Sequence, residues 1–258
     1  MINTRKFKAR FGVNGNTKLG KKVGTWSVLM GDDDYFIPEL DMVVRGTCGK
    51  HCAGCKGNCY VRKSYLRYTA RDTGKCSVKL GHARNTIAIR EDVEKCFEDL
   101  NNQMNRKRVP FELIRLDQSG EIENREQFEM FCRLAAIHTE TTFYIYTKNF
   151  DVIIPCLLEN VVPKNLVILF SIWHEYGIAE YLLCRRFENV KAFVYVDYNK
   201  DAENGWTLDD YRKRGIEIQT MCAAYDERGK MNHDITCDKC GKCFKCRENV
   251  KVIGCLSH

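Results

Sequence analysis

The sequence predicts an α/β fold, a parallel sheet of six strands covered by helices. Three observations predict it. From residue 111 onward, short apolar runs alternate with stretches of helical period, the pattern of repeated strand–helix units. The runs are apolar throughout, as in LVILFSIW at 166–173, and a strand of that kind is buried on both faces by covering helices. The chain has 258 residues, 44% hydrophobic and 29% charged, which suits one medium domain with an appended module and a core that needs no staples.

Taken in order, residues 1–47 hold glycine-rich turns (FGVNGN, KLGKKVG) and a short apolar segment, TWSVLM. FIPELDMVV at 36–44 is expected as the first strand, leading straight into a group of cysteines. Residues 85–104 carry Ile89, Val93, Phe97, Leu100 and Met104 on one helical face. FELIRLD is a strand and SGEIE a turn. Residues 125–138 read as a helix, with Asn124 as its cap and Gln127 as the partner three residues on. FYIYTK is a strand, and VIIPCLLENV is a shorter helical piece with a proline inside it. After the strand LVILFSIW come the helix IAEYLLCRRF, the strand AFVYVDY, the helix TLDDYRKRG ending at glycine, and a last strand IEIQTMCA. The expected organisation is an N-terminal extension over 1–40, the sheet with its first cysteine cluster over 41–225, and a C-terminal cysteine module over 226–258.

The net charge of +7 is dispersed, densest in residues 5–22 and in the C-terminal cysteine region, and reads as a solvated surface. Nucleic-acid contact has weak support from charge alone. No apolar run is long enough to cross a bilayer, so no membrane partner is expected. The start, MINTRKFKAR, lacks the apolar core of a secretion signal, so a cytoplasmic location is expected. Disulfides rarely persist there, which weighs against reading the cysteines as a disulfide knot.

There are fifteen cysteines, unevenly placed. CGKHCAGCKGNC at 48–59 holds four: Cys48, Cys52, Cys55 and Cys59. TCDKCGKCFKC holds Cys237, Cys240, Cys243 and Cys246, with Cys255 close behind. The other six, Cys76, Cys96, Cys132, Cys156, Cys184 and Cys222, are expected to pack in the core. Three successive C-x2-C steps are the pattern by which ferredoxins grip an iron–sulfur cube, and Cys255 or the terminal His258 would complete the C-terminal set. Zinc is the alternative, but one tetrahedral ion does not readily use contiguous C-x2-C units.

Cys48-x3-Cys52-x2-Cys55 has the spacing of the radical S-adenosylmethionine (radical SAM) enzymes. Their three thiolates hold three irons of a [4Fe–4S] cluster, and the fourth iron binds the amino and carboxylate groups of S-adenosylmethionine. That motif usually has an aromatic before its last cysteine, where this chain has Gly54, and Cys59 as a fourth ligand would close the cluster. Downstream, FELIRLD runs into Ser119-Gly120-Glu121, which resembles the turn that holds the SAM amino group, and the next strand ends in Thr147-Lys148-Asn149. His174 follows LVILFSIW at the same edge and Asp197 ends AFVYVDY; strand-end polar groups of a parallel sheet gather where ligands bind. His51 lies inside the first cysteine loop, whereas His82, His138 and His233 form no site-like pattern. Together these features resemble a six-strand partial (β/α) barrel of the radical SAM type over roughly residues 40–225.

GNTKLGKKVGTWS, the TC…C…CY of 47–60, SGEI after a strand, FYIYTKN, and a C-terminal CxxCGxC occur here in one order. In this the chain resembles the phage gene product 88 family over nearly its whole length. The resemblance implies a radical SAM-like layout in a bacterial host cytoplasm. Cys48, Cys55 and Cys59, the last followed by Tyr60, match its pattern best, with Cys52 as the extra cysteine. The family often has an aspartate-containing turn where this chain has Ser119-Gly120-Glu121.

Three functions are consistent with these residues. The first is an iron–sulfur enzyme with two [4Fe–4S] clusters, cleaving SAM to act on a substrate the sequence does not identify. Ser119, Gly120, Glu121, Thr147, Asn149 and His174 would line its cofactor pocket, and a reductase or flavodoxin would donate electrons. The second is a non-enzymatic iron–sulfur protein for electron transfer, redox sensing or structure. The third is a zinc-dependent nucleic-acid-binding protein. No phosphate-binding glycine loop with its lysine, no G-x-S-x-G and no H-E-x-x-H occurs, so kinase and hydrolase readings have no support.

Overall fold

The structure is a computed structural model that describes residues 7–12, 19, 23–49, 53–71, 76–106, 111–197, 206–225, 232, 234–245 and 250–256. Cys52, His51, His233, Cys246 and His258, with most of the glycine-rich GNTKLGKKVG, lie outside the described residues. In chain order the elements are β1 (Val23–Thr25), β2 (Asp34–Ile37), β3 (Met42–Arg45), α1 (Ala53–Asn58), α2 (Tyr60–Arg71), α3 (Ser77–Glu91), α4 (Val93–Asn105), β4 (Leu113–Leu116), α5 (Arg125–Ile137) and β5 (Thr142–Thr147). They continue with α6 (Phe150–Leu158), β6 (Leu166–Trp173), α7 (Ile178–Cys184), β7 (Val190–Val196), α8 (Leu208–Lys213), β8 (Thr220–Met221), α9 (Cys237–Cys240) and β9 (Val252–Leu256).

Seven strands form one parallel sheet in the order β1-β4-β5-β6-β7-β9-β8. The α/β class is as expected, with a larger sheet. Its two faces bury different things, because successive side chains point to opposite sides. Ile114, Phe143, Ile145, Ile168, Phe170, Ile172, Ala192 and Val194 face the helices in the main core, together with Cys96, Cys132, Cys156 and Cys184. Leu113, Tyr144, Val167, Leu169 and Ile253 point the other way and meet Phe244 of the C-terminal segment. Cys76 is also buried, its thiol accepting from Lys79 N at 3.4 Å at the start of α3. Five of the six cysteines expected in the core are thus buried there. Among the described residues no helix is long and apolar enough to cross a membrane.

Five expectations are corrected. FIPELDMVV is not a strand of the main sheet: it folds on itself as the antiparallel pair β2–β3 around a turn at Pro38–Asp41, where Asp41 has φ +50°. Phe36 and Val43 are more than half exposed on this hairpin, so its apolar run is not covered on both faces. The strand at the sheet's first edge is instead β1, from the stretch expected to be an extension. The single helix over 85–104 is two, because Asp92 is extended (φ −158°, ψ 95°) and its carboxylate caps α4 by accepting from Lys95 N at 2.9 Å. IEIQTMCA pairs only at Thr220–Met221, and β9, from the C-terminal stretch, lies between it and β7. At α5 the cap is as expected, with Asn124 Oδ1 accepting from Gln127 N at 3.0 Å, but Gln127 Oε1 accepts from Glu123 N and not from the cap itself.

Candidate functional site

The carboxyl ends of β4 and β5 carry a closed network of polar groups. Ser119 Oγ donates to Val28 O at 2.8 Å, and Val28 N donates to Ser119 O at 2.9 Å. Gly120 has φ +79°, and a Cβ there would lie 2.4 Å from Val28 Cγ2 and 2.6 Å from Thr47 Oγ1, so only glycine fits the turn. Glu121 is buried: Thr147 Oγ1 donates to its Oε1 at 2.7 Å and Lys148 N donates to its Oε2 at 3.1 Å. Its own N–H donates to Thr47 Oγ1 at 2.8 Å. Asn149 N donates to Thr147 Oγ1, and Asn149 Nδ2 donates to Ile122 O. Burial pushes the Glu121 carboxyl above its ordinary range, opposed by the bonds from Thr147 and Lys148. Asp117, at φ +46°, accepts from Ile122 N through Oδ2 at 2.8 Å, while its buried Oδ1 has no hydrogen-bond partner. Burial, and then the nearby Glu121, hold Asp117 well above the usual carboxylate range.

The first cysteine loop sits against this network. Cys48 N donates to Gly31 O at 2.7 Å, α1 carries Cys55, and Cys59 lies between α1 and α2 with its thiol 3.7 Å from Met30 Sδ. All three are half-buried. The Cys48 thiol is pushed far up by burial and then by Glu121, with Cys59 and Cys55 adding to the effect. Gly54 is closely packed. A Cβ there would lie 2.9 Å from Cε3 of Trp173, whose indole comes in from β6 and stacks on Tyr195 at 4.0 Å and 6°.

His174 follows Trp173 with φ +54°, a conformation that costs a non-glycine residue about 1–2 kcal/mol. Its backbone N–H donates to Tyr211 Oη at 3.1 Å, and its Nε2 lies 2.9 Å from Asp197 Oδ2, which also accepts from Trp206 N at 2.8 Å. The imidazole stacks on Trp206 at 5.6 Å and 22°. These contacts fix the ring and leave it about one-third exposed at the sheet edge.

A second group of thiols lies on the face of the sheet that the helices do not cover. α9 is a single turn, which places Cys237 and Cys240 on one side, and Gly241 (φ +71°) turns the chain to bring in Cys243. Cys222, Cys237, Cys240 and Cys243 line one pocket together with Tyr144, Tyr146 and Phe244. Burial raises the Cys243 thiol to about 12; a hydrogen bond from Tyr146 opposes the rise, and Cys222, Cys237 and Cys240 add to it. The loop is tied down by Lys191 of β7, almost fully buried, whose Nζ donates to Lys242 O and Lys245 O at 2.8 Å each. Cys255 does not line this pocket and is buried in β9 beside Tyr195.

The structure therefore brings Ser119, Gly120, Glu121, Thr147 and Asn149 together with Cys48, Cys55 and Cys59, and sets His174 further along the same edge. Four contributors were not singled out by sequence reasoning. Thr47 had a signal, since it directly precedes Cys48. Asp117 was read as the end of a strand, and Lys191 as a surface charge. Cys222 had only its place at a strand end. Among the described residues, no group of three or more His, Cys, Asp or Glu side chains is arranged to hold a single metal ion.

No curated protein and no solved structure matches the chain. The family profile described as gene product 88 matches residues 6–248. Nearly the whole fold is covered by that match, from β1 through the C-terminal thiols, and the chain belongs to the gene product 88 family.

Proposed function

We propose that the chain is an iron–sulfur protein with two [4Fe–4S] clusters on a radical SAM-like partial barrel, the first cluster binding S-adenosylmethionine. One observation carries the reading: the first cysteine loop is tied through Thr47, next to Cys48, to Glu121 and Thr147 at the carboxyl edge of a parallel sheet, where such sheets bind ligands. The donors are soft thiols, which suits iron–sulfur ligation.

Cys48, Cys55 and Cys59 would hold the first cluster, which supplies the electron for reductive cleavage of bound SAM. The protein's own groups shape the space around it. The Ser119–Gly120 turn fixes the backbone beside the thiols, and Thr147 and Lys148 orient Glu121. The Trp173–Tyr195 stack walls off the loop from β6 and β7 and offers an aromatic surface to an adenine. An electron donor such as a flavodoxin, and a reducing cytoplasm, go with this reading.

A second reading, a closed cluster without SAM chemistry, is favoured by one detail. Each oxygen of Glu121 already accepts one hydrogen bond, from Thr147 or from Lys148, which leaves fewer of its acceptor sites for an ammonium group. Incubating reduced protein with SAM and assaying 5′-deoxyadenosine separates the two. Its formation, lost in Cys48→Ala, supports the first; its absence from cluster-loaded protein supports the second.

A further inference from the structure

The thiols of the C-terminal pocket come from two distant places in the chain. Cys237, Cys240 and Cys243 belong to the loop around α9, whereas Cys222 follows β8. Met221 points toward the helix-covered side, where its Sδ would meet a Cβ on Gly254 at 2.6 Å. The next side chain along a strand points the other way, so Cys222 faces the pocket, packed with Cys237 and Cys243 against Tyr144 and Ile253. Its backbone is held on both sides: Cys222 N donates to Gly254 O at 2.7 Å, and Tyr225 N donates to Cys222 O at 3.3 Å. The opposite wall is just as fixed. Lys191 ties down the loop carbonyls, Lys242 Nζ donates to Thr220 Oγ1 at 2.8 Å, and Phe244 packs on Tyr144 with ring centroids 5.1 Å apart.

We propose that Cys222 is a ligand of the C-terminal iron–sulfur cluster, acting with Cys237, Cys240 and Cys243. The assignment rests on the iron–sulfur reading above. It replaces Cys255, which the ordering of the cysteines suggests but which does not line the pocket. Four thiols lining one pocket, with apolar and aromatic walls, form a donor set of one chemical kind. A single zinc ion would draw its four sulfurs to within roughly 3.8 Å of one another. A four-iron cube holds its ligands further apart, one thiolate to each iron. Ligation at Cys222 also joins the sheet edge to the α9 loop, so cluster loading would stabilise β8 and β9 along with the loop.

The test uses the full chain, reconstituted anaerobically with iron and sulfide, and compares wild type with Cys222→Ser and Cys255→Ser. Iron and sulfide content and the EPR spectrum of the reduced protein are the readouts. Cys222→Ser should lose about half of the iron and sulfide of wild type, with one EPR component gone, while Cys255→Ser keeps both. Cys222→Ser with full iron and an unchanged spectrum overturns the assignment and leaves the iron–sulfur reading intact. A wild-type chain that takes up no iron overturns both. If Cys222→Ser fails to fold, alkylation of wild type decides: Cys222 should be protected in loaded protein and modified after chelation, and equal modification in both states overturns the proposal.

Discussion

Lys191 Nζ lies 2.8 Å from the carbonyl oxygen of Lys242, although the two residues are fifty-one positions apart and Lys191 is almost fully buried in β7. With its second bond, to Lys245 O, this ammonium clamps the C-terminal cysteine loop onto the sheet. Lys191→Met keeps most of the side-chain volume but leaves two carbonyls without their charged donor. The expected cost is about 3 kcal/mol. Chemical denaturation should show that loss, and iron content should fall at the C-terminal cluster ahead of the first.

Asp117→Asn should stabilise the protein at neutral pH. Burial and Glu121 raise the Asp117 carboxyl, and Oδ1 has no hydrogen-bond partner. A carboxyl with a raised folded-state pKa favours the fold at low pH, and that contribution is lost as pH rises through the folded value. Asparagine does not ionise, tolerates the φ of +46°, and can still accept from Ile122 N. The melting temperature of the variant should therefore gain on wild type as pH rises from about 4 to 8. A deficit that grows over the same range would mean that the charge is held by a cation.

Histidine 82 should not titrate in the usual range. Its ring is half-buried, Nδ1 lies 2.6 Å from Tyr65 Oη, and desolvation lowers its pKa to about 4. The unfolded chain binds this proton near pH 6.5, so the neutral ring favours the fold above that pH and the contribution disappears as pH falls toward 4. NMR of His82 should show no protonation above about pH 5, and stability should decline between about pH 6.5 and 4 by about 3 kcal/mol from this group.

Gly54→Ala should disturb the first cysteine loop. The new methyl would lie 2.9 Å from Trp173 Cε3, and the indole is itself pinned against Tyr195. Overpacking of this kind costs about 1–3 kcal/mol. Iron content of the first cluster should fall, and Trp173→Phe in the same chain should restore it by making room. No recovery would mean that the glycine serves backbone conformation and not this close approach.

The central strands and the helices over them were legible because burial on both faces writes itself into continuous apolar runs, as in β6. The edges were not. β1 is three residues long, and β8 pairs through only two. β9 reads VIGCL behind a cysteine-rich stretch, and nothing local says that it enters the sheet beside β7. FIPELDMVV looks like a strand, but its proline and Asp41 turn it back on itself. The site was legible where its residues adjoin a motif, as with Ser119-Gly120-Glu121 and Thr147. Asp117, Lys191 and Cys222 acquire their roles from neighbours distant in sequence, which spacing does not report.

The most direct measurement is iron and sulfide content of anaerobically purified protein, with EPR of the reduced sample before and after S-adenosylmethionine. Two open-and-auxiliary clusters predict about eight irons per chain and a spectrum that changes when SAM is added. A colourless chain carrying zinc would contradict the account at its root, and about eight irons with a spectrum indifferent to SAM would contradict the open first cluster.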